Sequence, residues 1–197
     1  MSASATTLRG AVLPRAGLLT DAILIAAGAV LIALSAQLSI PLPFTPVPIT
    51  GQTFSVLLVG AGLGAIRGGA SALLYVALGI VGLPVYADGA HGWTQVTGAT
   101  GGYLVGFVLA AWLTGWLAER GWDRRFSSAL GAMLTGNVAI YLVGLTWLAH
   151  ELGTNLTRTL ELGVYPFIPG DVLKLYLAAA ALPAAWRVVG ERRRTWR

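Results

Sequence analysis

The stretch Pro166-Phe167-Ile168-Pro169-Gly170-Asp171-Val172-Leu173-Lys174-Leu175-Tyr176 decides how the rest of the chain is read, because it sets the molecule's single lysine beside a carboxylate at the mouth of a long apolar segment. Pro169 and Gly170 predict a break, and Asp171 stands where a side-chain oxygen caps a new helix. That helix is expected from Val172 to Val189, with no further charge until Arg187. Asp171 and Lys174, three residues apart, then share one face. Ionisable groups inside an apolar span are costly to hold there and mark functional sites by default. The plainer alternative is that Asp171 only caps the helix and Lys174 snorkels to the interface. Against it, the chain uses twelve arginines and one lysine, which points to a use for a compact point charge with rotatable donors.

Composition sets the class. Of 197 residues, 56% are hydrophobic and only 11% charged, and the mean hydropathy is +0.73, too apolar for a water-soluble domain. The reading is an all-α integral membrane protein with six transmembrane helices. The 26 glycines suit closely packed transmembrane helices. Cysteine is absent, which excludes disulfides and thiolate metal sites. A net charge of +5 would fit nucleic acid, but the basic residues fall in short clusters between apolar runs, the pattern of topology signals, and no nucleic-acid partner is expected.

Outward from the opening stretch, the predicted spans are 22–40, 52–66, 69–81, 101–118, 128–148 and 172–189, in one membrane domain: a tail over 1–18, a six-helix core over 19–190 and a basic tail over 191–197. Residues 1–18 lack a long apolar core and small-residue cleavage site, so no signal peptide is expected. In the first span Ala22, Ala26, Ala29, Ala33 and Ala36 form a stripe of small side chains, suited either to packing inside the molecule or to an external helix. Residues 41–50 hold four prolines and cannot continue a helix; they leave the membrane or fold back as a lid over a cavity. Arg67 marks a tight turn. Longer loops are expected over 82–100, with Tyr86, Asp88, His91 and Trp93, and from His150 to Tyr165.

Even span number puts both termini on one side. Eleven arginines lie at the termini and in the turns at 67 and 119–125, and only Arg158 on the other side, so the termini are predicted to be cytoplasmic and the three longer loops to lie outside, together with Asp171 and Lys174.

No catalytic set assembles. Ser71 sits at the far end of its span from His91 and His150 and is read as a packing residue. Without a Walker motif the chain cannot itself hydrolyse ATP. No catalytic residue, metal or cofactor is predicted. What remains is a binding site open to the outside, in which an Asp acceptor and a Lys donor complement a small solute carrying N–H donors and a carbonyl or carboxylate. Asn137 and Tyr141, one turn apart, add polar contacts, though Asn137 serves equally as glue between helices. Tyr86 and Trp93 would cover the apolar part of a ligand, and Trp93 serves equally as an interfacial anchor.

Four runs, Pro46-Val-Pro-Ile-Thr-Gly-Gln52, Gly82-Leu-Pro-Val-Tyr86, Thr100-Gly-Gly-Tyr-Leu-Val-Gly-Phe107 and Pro166-Phe-Ile-Pro-Gly-Asp-Val-Leu-Lys174, in this order and spacing, resemble the BioY family, the biotin-specific substrate-binding (S) components of energy-coupling factor (ECF) transporters. The resemblance spans Ala22 to Leu182. It implies a six-helix domain that captures biotin at the outer face of the bacterial cytoplasmic membrane. The family's biotin-contacting Asp and Lys match Asp171 and Lys174. The implied contact set extends to Gln52 and Asp88, although Ala99 replaces a usual proline and Ala87 to Val96 is less typical. The resemblance also implies docking of small residues on the first helix, Ala29 and Ala33, onto a transmembrane coupling subunit driven by two ATPase subunits. The group that meets the valerate carboxylate is left open. Two other readings stay in play: a different vitamin on the same scaffold, and a membrane enzyme or sensor holding a lipidic amide in the cavity.

Overall fold

The structure, a computed structural model, describes residues 7–13 and 17–195, with side chains to Val189. Parts of the predicted tails, 1–6, 14–16 and 196–197, lie outside the described residues. The described helices are α1 (Leu8–Val12), α2 (Leu18–Ala36), α3 (Gln52–Leu63), α4 (Ala65–Ile80), α5 (Trp93–Thr97), α6 (Gly101–Glu119), α7 (Phe126–Leu152), α8 (Leu156–Gly163) and α9 (Ile168–Thr195). Six of them, α2, α3, α4, α6, α7 and α9, correspond to the six predicted spans. Among the described residues four are long and apolar enough to cross a membrane, namely α2, α6, α7 and Ile168–Val189 of α9. The other two, α3 and α4, have 12 and 16 residues, reaching only about 18 and 24 Å.

The centre of the bundle is α6, which packs against α3, α4 and α7, while α2 lies on α4 and α9 on α7 and α3. Glycine permits these crossings. A Cβ on Gly68 would stand 2.6 Å from the Cα of Gly60, and one on Gly60 would strike the Ala111 carbonyl, so α3, α4 and α6 meet backbone to backbone.

Several boundaries differ from the sequence reading. The reversal between the second and third spans falls at Gly64, in the left-handed region at φ +89°. Arg67 therefore sits inside α4, bonded to Asp21. Ser71 is fully buried, its hydroxyl donating to the Arg67 carbonyl at 2.9 Å, in line with a packing role. Residues 8–12 of the expected tail form α1, capped by Thr7 Oγ1 and tied to the bundle by Arg9 and Asp21.

The start of α9 is also corrected. Pro169 and Gly170 do not end a helix but occupy its first turn, where an N–H has no intrahelical partner and proline is tolerated. Asp171 is thus inside the helix rather than its cap, and its amide donates to the Phe167 carbonyl at 2.8 Å.

The proline-rich run does fold back. Ser39–Ile40 (β1) and Ile49–Thr50 (β2) pair antiparallel, Ser39 opposite Thr50 and Ile40 opposite Ile49, and return the chain over the end of the bundle. Thr45 Oγ1 donates to the Leu162 carbonyl at 2.7 Å and pins this flap to α8. The loops at 82–100 and 150–165 also carry structure: a 3-10 turn at Ala87–Gly89, α5, the last residues of α7, and α8.

Candidate binding site

A cavity of about 310 Å³ opens under the flap, at the bundle end remote from the arginine clusters. This is the size range of small-molecule sites, roughly 300–1,000 Å³. Its roof is Pro41 to Thr50, its floor comes from α3, α6 and α7, and one side is the first turns of α9. The walls combine apolar Leu104, Phe107, Ile140 and Phe167 with a few polar groups.

The polar side is built around Asp171, 6% exposed. Lys174 Nζ donates to its Oδ1 at 3.1 Å, the i, i+3 spacing of one helix face. Oδ2 accepts from the Tyr141 hydroxyl at 2.5 Å and from Asn137 Nδ2 at 3.4 Å. Asn137 and Tyr141 lie one turn apart on α7, so the carboxylate latches α7 to α9. With two donors on Oδ2 and one on Oδ1, an acceptor site remains on Oδ1, and two of the three Lys174 N–H donors remain to be used. The site can therefore accept one hydrogen bond and donate two, from a charged pair largely withdrawn from water.

The predicted residues are distributed unevenly around this centre. Asp171, Lys174, Tyr141, Tyr86, Asp88 and Gln52 line the cavity. Asn137 stands behind Asp171, its Oδ1 buried without a hydrogen-bond partner among the described residues. Gln52 is committed on both sides: Nε2 donates to the Tyr75 hydroxyl at 2.5 Å and Oε1 accepts from Thr50 Oγ1 at 2.9 Å. Tyr86 is buried with its hydroxyl on the Val76 carbonyl at 2.7 Å. Burial pushes its phenol up to about 12, so it stays protonated at physiological pH. A Cβ on Gly79 would collide with the Tyr86 ring, which explains the bare helix surface there. Asp88 lies at the exposed rim, in the left-handed region at φ 57°, and accepts from Ser39 Oγ at 3.2 Å.

Trp93 does not join the site. It is 62% exposed at the start of α5 and is not among the residues that line the cavity. The alanine stripe is likewise split: Ala29 and Ala36 are fully buried and Ala33 half-buried, whereas Ala22 and Ala26 are exposed. Ala29 is therefore a packing residue and is not on an external face; beside it, a Cβ on Gly28 would stand 2.6 Å from Ser71 Oγ.

Sequence reasoning missed Thr45, Thr53, Gln95 and Tyr103, all of which line the cavity. Thr53 Oγ1 is buried without a partner among the described residues. Tyr103 was signalled by its own Thr-Gly-Gly-Tyr run: its ring packs on Gly144, where a Cβ would stand at 2.6 Å, and its hydroxyl donates to the Gly163 carbonyl at 3.3 Å.

The chain has relatives of known sequence and fold. The chain is 39% identical over 158 residues to a protein of Rhizobium etli named biotin transporter BioY, covering 77% of this chain and 84% of that one. It is 38% identical to a probable biotin transporter BioY of Pyrococcus horikoshii, covering 85% and 94%. Among solved structures, the crystal structure of the S-component for biotin from an ECF-type ABC transporter superposes with a TM-score of 0.76 at 26% identity, covering 86% of this chain and 92% of that one. The sequence signature of the BioY family matches residues 4–191. Shared signature, shared fold and a polar cavity under a folded-back flap lead to one conclusion: the chain is a multi-pass membrane protein that belongs to the BioY family.

Proposed function

We propose that this protein is the biotin-specific S component of an ECF transporter and that biotin occupies the cavity under the flap. The observation that carries the reading is the Asp171–Lys174 pair on the cavity wall, with Tyr141 and Asn137 behind it. A ureido ring presents N–H donors beside a carbonyl, the complement of a carboxylate beside an ammonium. The ureido N–H donates to Asp171 Oδ1, its carbonyl accepts from Lys174 Nζ, and the thiophane ring and valeryl chain lie against Leu104, Phe107, Ile140 and Phe167. Asn137 and Tyr141 orient the carboxylate, and Tyr86, Gln52 and Asp88 shape the wall and rim. Thr53 is available to a polar group of the ligand.

Capture by itself cannot concentrate a solute, so uptake requires an energy source. The chain works as a single membrane domain in the bacterial cytoplasmic membrane, termini inside, and docks through α2 onto a transmembrane coupling subunit served by two ATPase subunits. In support, α2 is the least covered of the long helices, with Ala22, Ile23, Ala26, Val30 and Leu34 exposed and Ala33 at the edge of that face.

Equilibrium binding of labelled biotin to purified protein tests the ligand, with desthiobiotin and unrelated vitamins as competitors. Biotin and desthiobiotin, which share the ureido ring, should displace the label and raise the melting temperature, since a ligand that prefers the native state stabilises it. Displacement by another vitamin, or stabilisation only by a lipidic amide, overturns the assignment. Accumulation of biotin in cells that express this chain without coupling subunits overturns the coupled mechanism.

A further inference from the structure

A second cleft, of about 510 Å³, lies at the other end of the bundle, where the turn between α6 and α7 meets the Ala180 to Arg187 stretch of α9. Its polar lining is Arg124, Arg125 and Arg187, and its apolar lining is Phe126, Ala180, Pro183 and Trp186; among the described side chains no carboxylate lines it. Among the side chains described, which end at Val189, neither Arg125 nor Arg187 has an ion-pair partner. Arg125 is also the N-cap position of α7, a 27-residue helix without a side-chain cap, so unpaired amides and the positive end of the helix add to the three guanidinium groups.

The cationic wall is held in place. Trp186 Nε1 donates to Asp123 Oδ2 at 2.5 Å, and the Arg124 guanidinium lies 4.2 Å over the Trp186 ring. Asp123 is fully buried, and burial pushes its carboxyl up toward the neutral form, which weakens its opposition to an anion in the cleft. From the apolar side, Ala180, Leu177, Tyr176 and Leu173 continue along one exposed face of α9, with the Tyr176 ring 5.7 Å from that of Phe126. Positive charge thus sits at the membrane-interface end of an apolar track running toward the bilayer core.

We propose that this cleft binds an anionic phospholipid, its phosphate held by Arg125, Arg187 and the start of α7 beside Arg124, and its acyl chains lying along the outer face of α9. The site is independent of the biotin cavity. A neutral zwitterionic lipid satisfies the apolar track but leaves the excess positive charge uncompensated, so the headgroup charge decides selectivity.

The experiment is native mass spectrometry of the purified full chain, titrated with phosphatidylglycerol or phosphatidylcholine, alongside melting temperatures in the same lipids. Wild type should retain phosphatidylglycerol in preference to phosphatidylcholine. The Arg125→Gln/Arg187→Gln variant should lose affinity for it by about thirtyfold, the fold-change for two arginines at about 1 kcal/mol each. Arg158→Gln, at the opposite end, should match wild type. Each single variant carries part of the loss, so the test stands if the double variant expresses poorly. Unchanged lipid preference in both single variants overturns the proposal. So does equal thermal stabilisation by inorganic phosphate, which would mark a soluble-anion site.

Discussion

Removing the Asp171 carboxylate is the sharpest perturbation available. Three donors converge on it, from Lys174 at 3.1 Å, Tyr141 at 2.5 Å and Asn137 at 3.4 Å, and the two charged side chains are only 7% and 18% exposed. A hydrogen bond to a charged group contributes about 1.5–3 kcal/mol, so loss of the single ligand bond to Oδ1 weakens binding roughly 10- to 150-fold. Asp171→Ala also strands the Lys174 ammonium and the Tyr141 hydroxyl, and the stranded charge adds its own cost. Lys174→Ala leaves Asp171 with Tyr141 and Asn137, so the melting temperature should fall further for Asp171→Ala than for Lys174→Ala. The double variant should lose less than the sum of the two, with a coupling energy of about 0.5–3 kcal/mol. Isothermal titration of biotin into wild type, both single variants and the double variant gives the whole cycle. Undiminished affinity in both single variants would refute the reasoning.

Three further outcomes are expected. Thr45→Val removes the bond that pins the flap to α8; at about 1 kcal/mol per net hydrogen bond, the dissociation rate of biotin should rise roughly fivefold in a stopped-flow chase. Gly144→Ala places a methyl 2.6 Å from the Tyr103 ring and should destabilise by about 1–3 kcal/mol through overpacking, seen as a lower melting temperature and weaker binding because Tyr103 lines the cavity. Asp123, raised by burial above the ordinary carboxylate value of about 3.9, binds its proton more tightly folded than unfolded, so its contribution is most favourable below that value and is lost as pH rises through the raised one. Asp123→Asn keeps an oxygen for Trp186 and has no charge to bury; it should melt higher than wild type at pH 7, with the difference vanishing near pH 4.

How much was legible depended on the range of the cause. Hydropathy and the proline run are local properties, and they located six apolar helices and the returning flap to within a few residues. Local rules failed where two neighbours competed: Pro169-Gly170 reads as a break, yet proline in a first helical turn loses no hydrogen bond, and Arg67 reads as a turn although Gly64 three residues earlier makes it. The alanine stripe divides between a packed and an exposed part for another reason, since spacing identifies a face but not what lies against it.

The amino-acid sequence alone determined the membrane class, the approximate helix positions and the placing of Asp171 and Lys174 on one face, because hydropathy and helical period act over neighbouring residues. Only the tertiary structure decided that Tyr141, 30 residues earlier, donates to Asp171, that Thr45 reaches Leu162 across 117 residues, that Trp93 stays out of the cavity lining, and that Ala29 faces inward. These contacts depend on which helices cross and where glycines let them approach, and no local pattern in the chain encodes that choice.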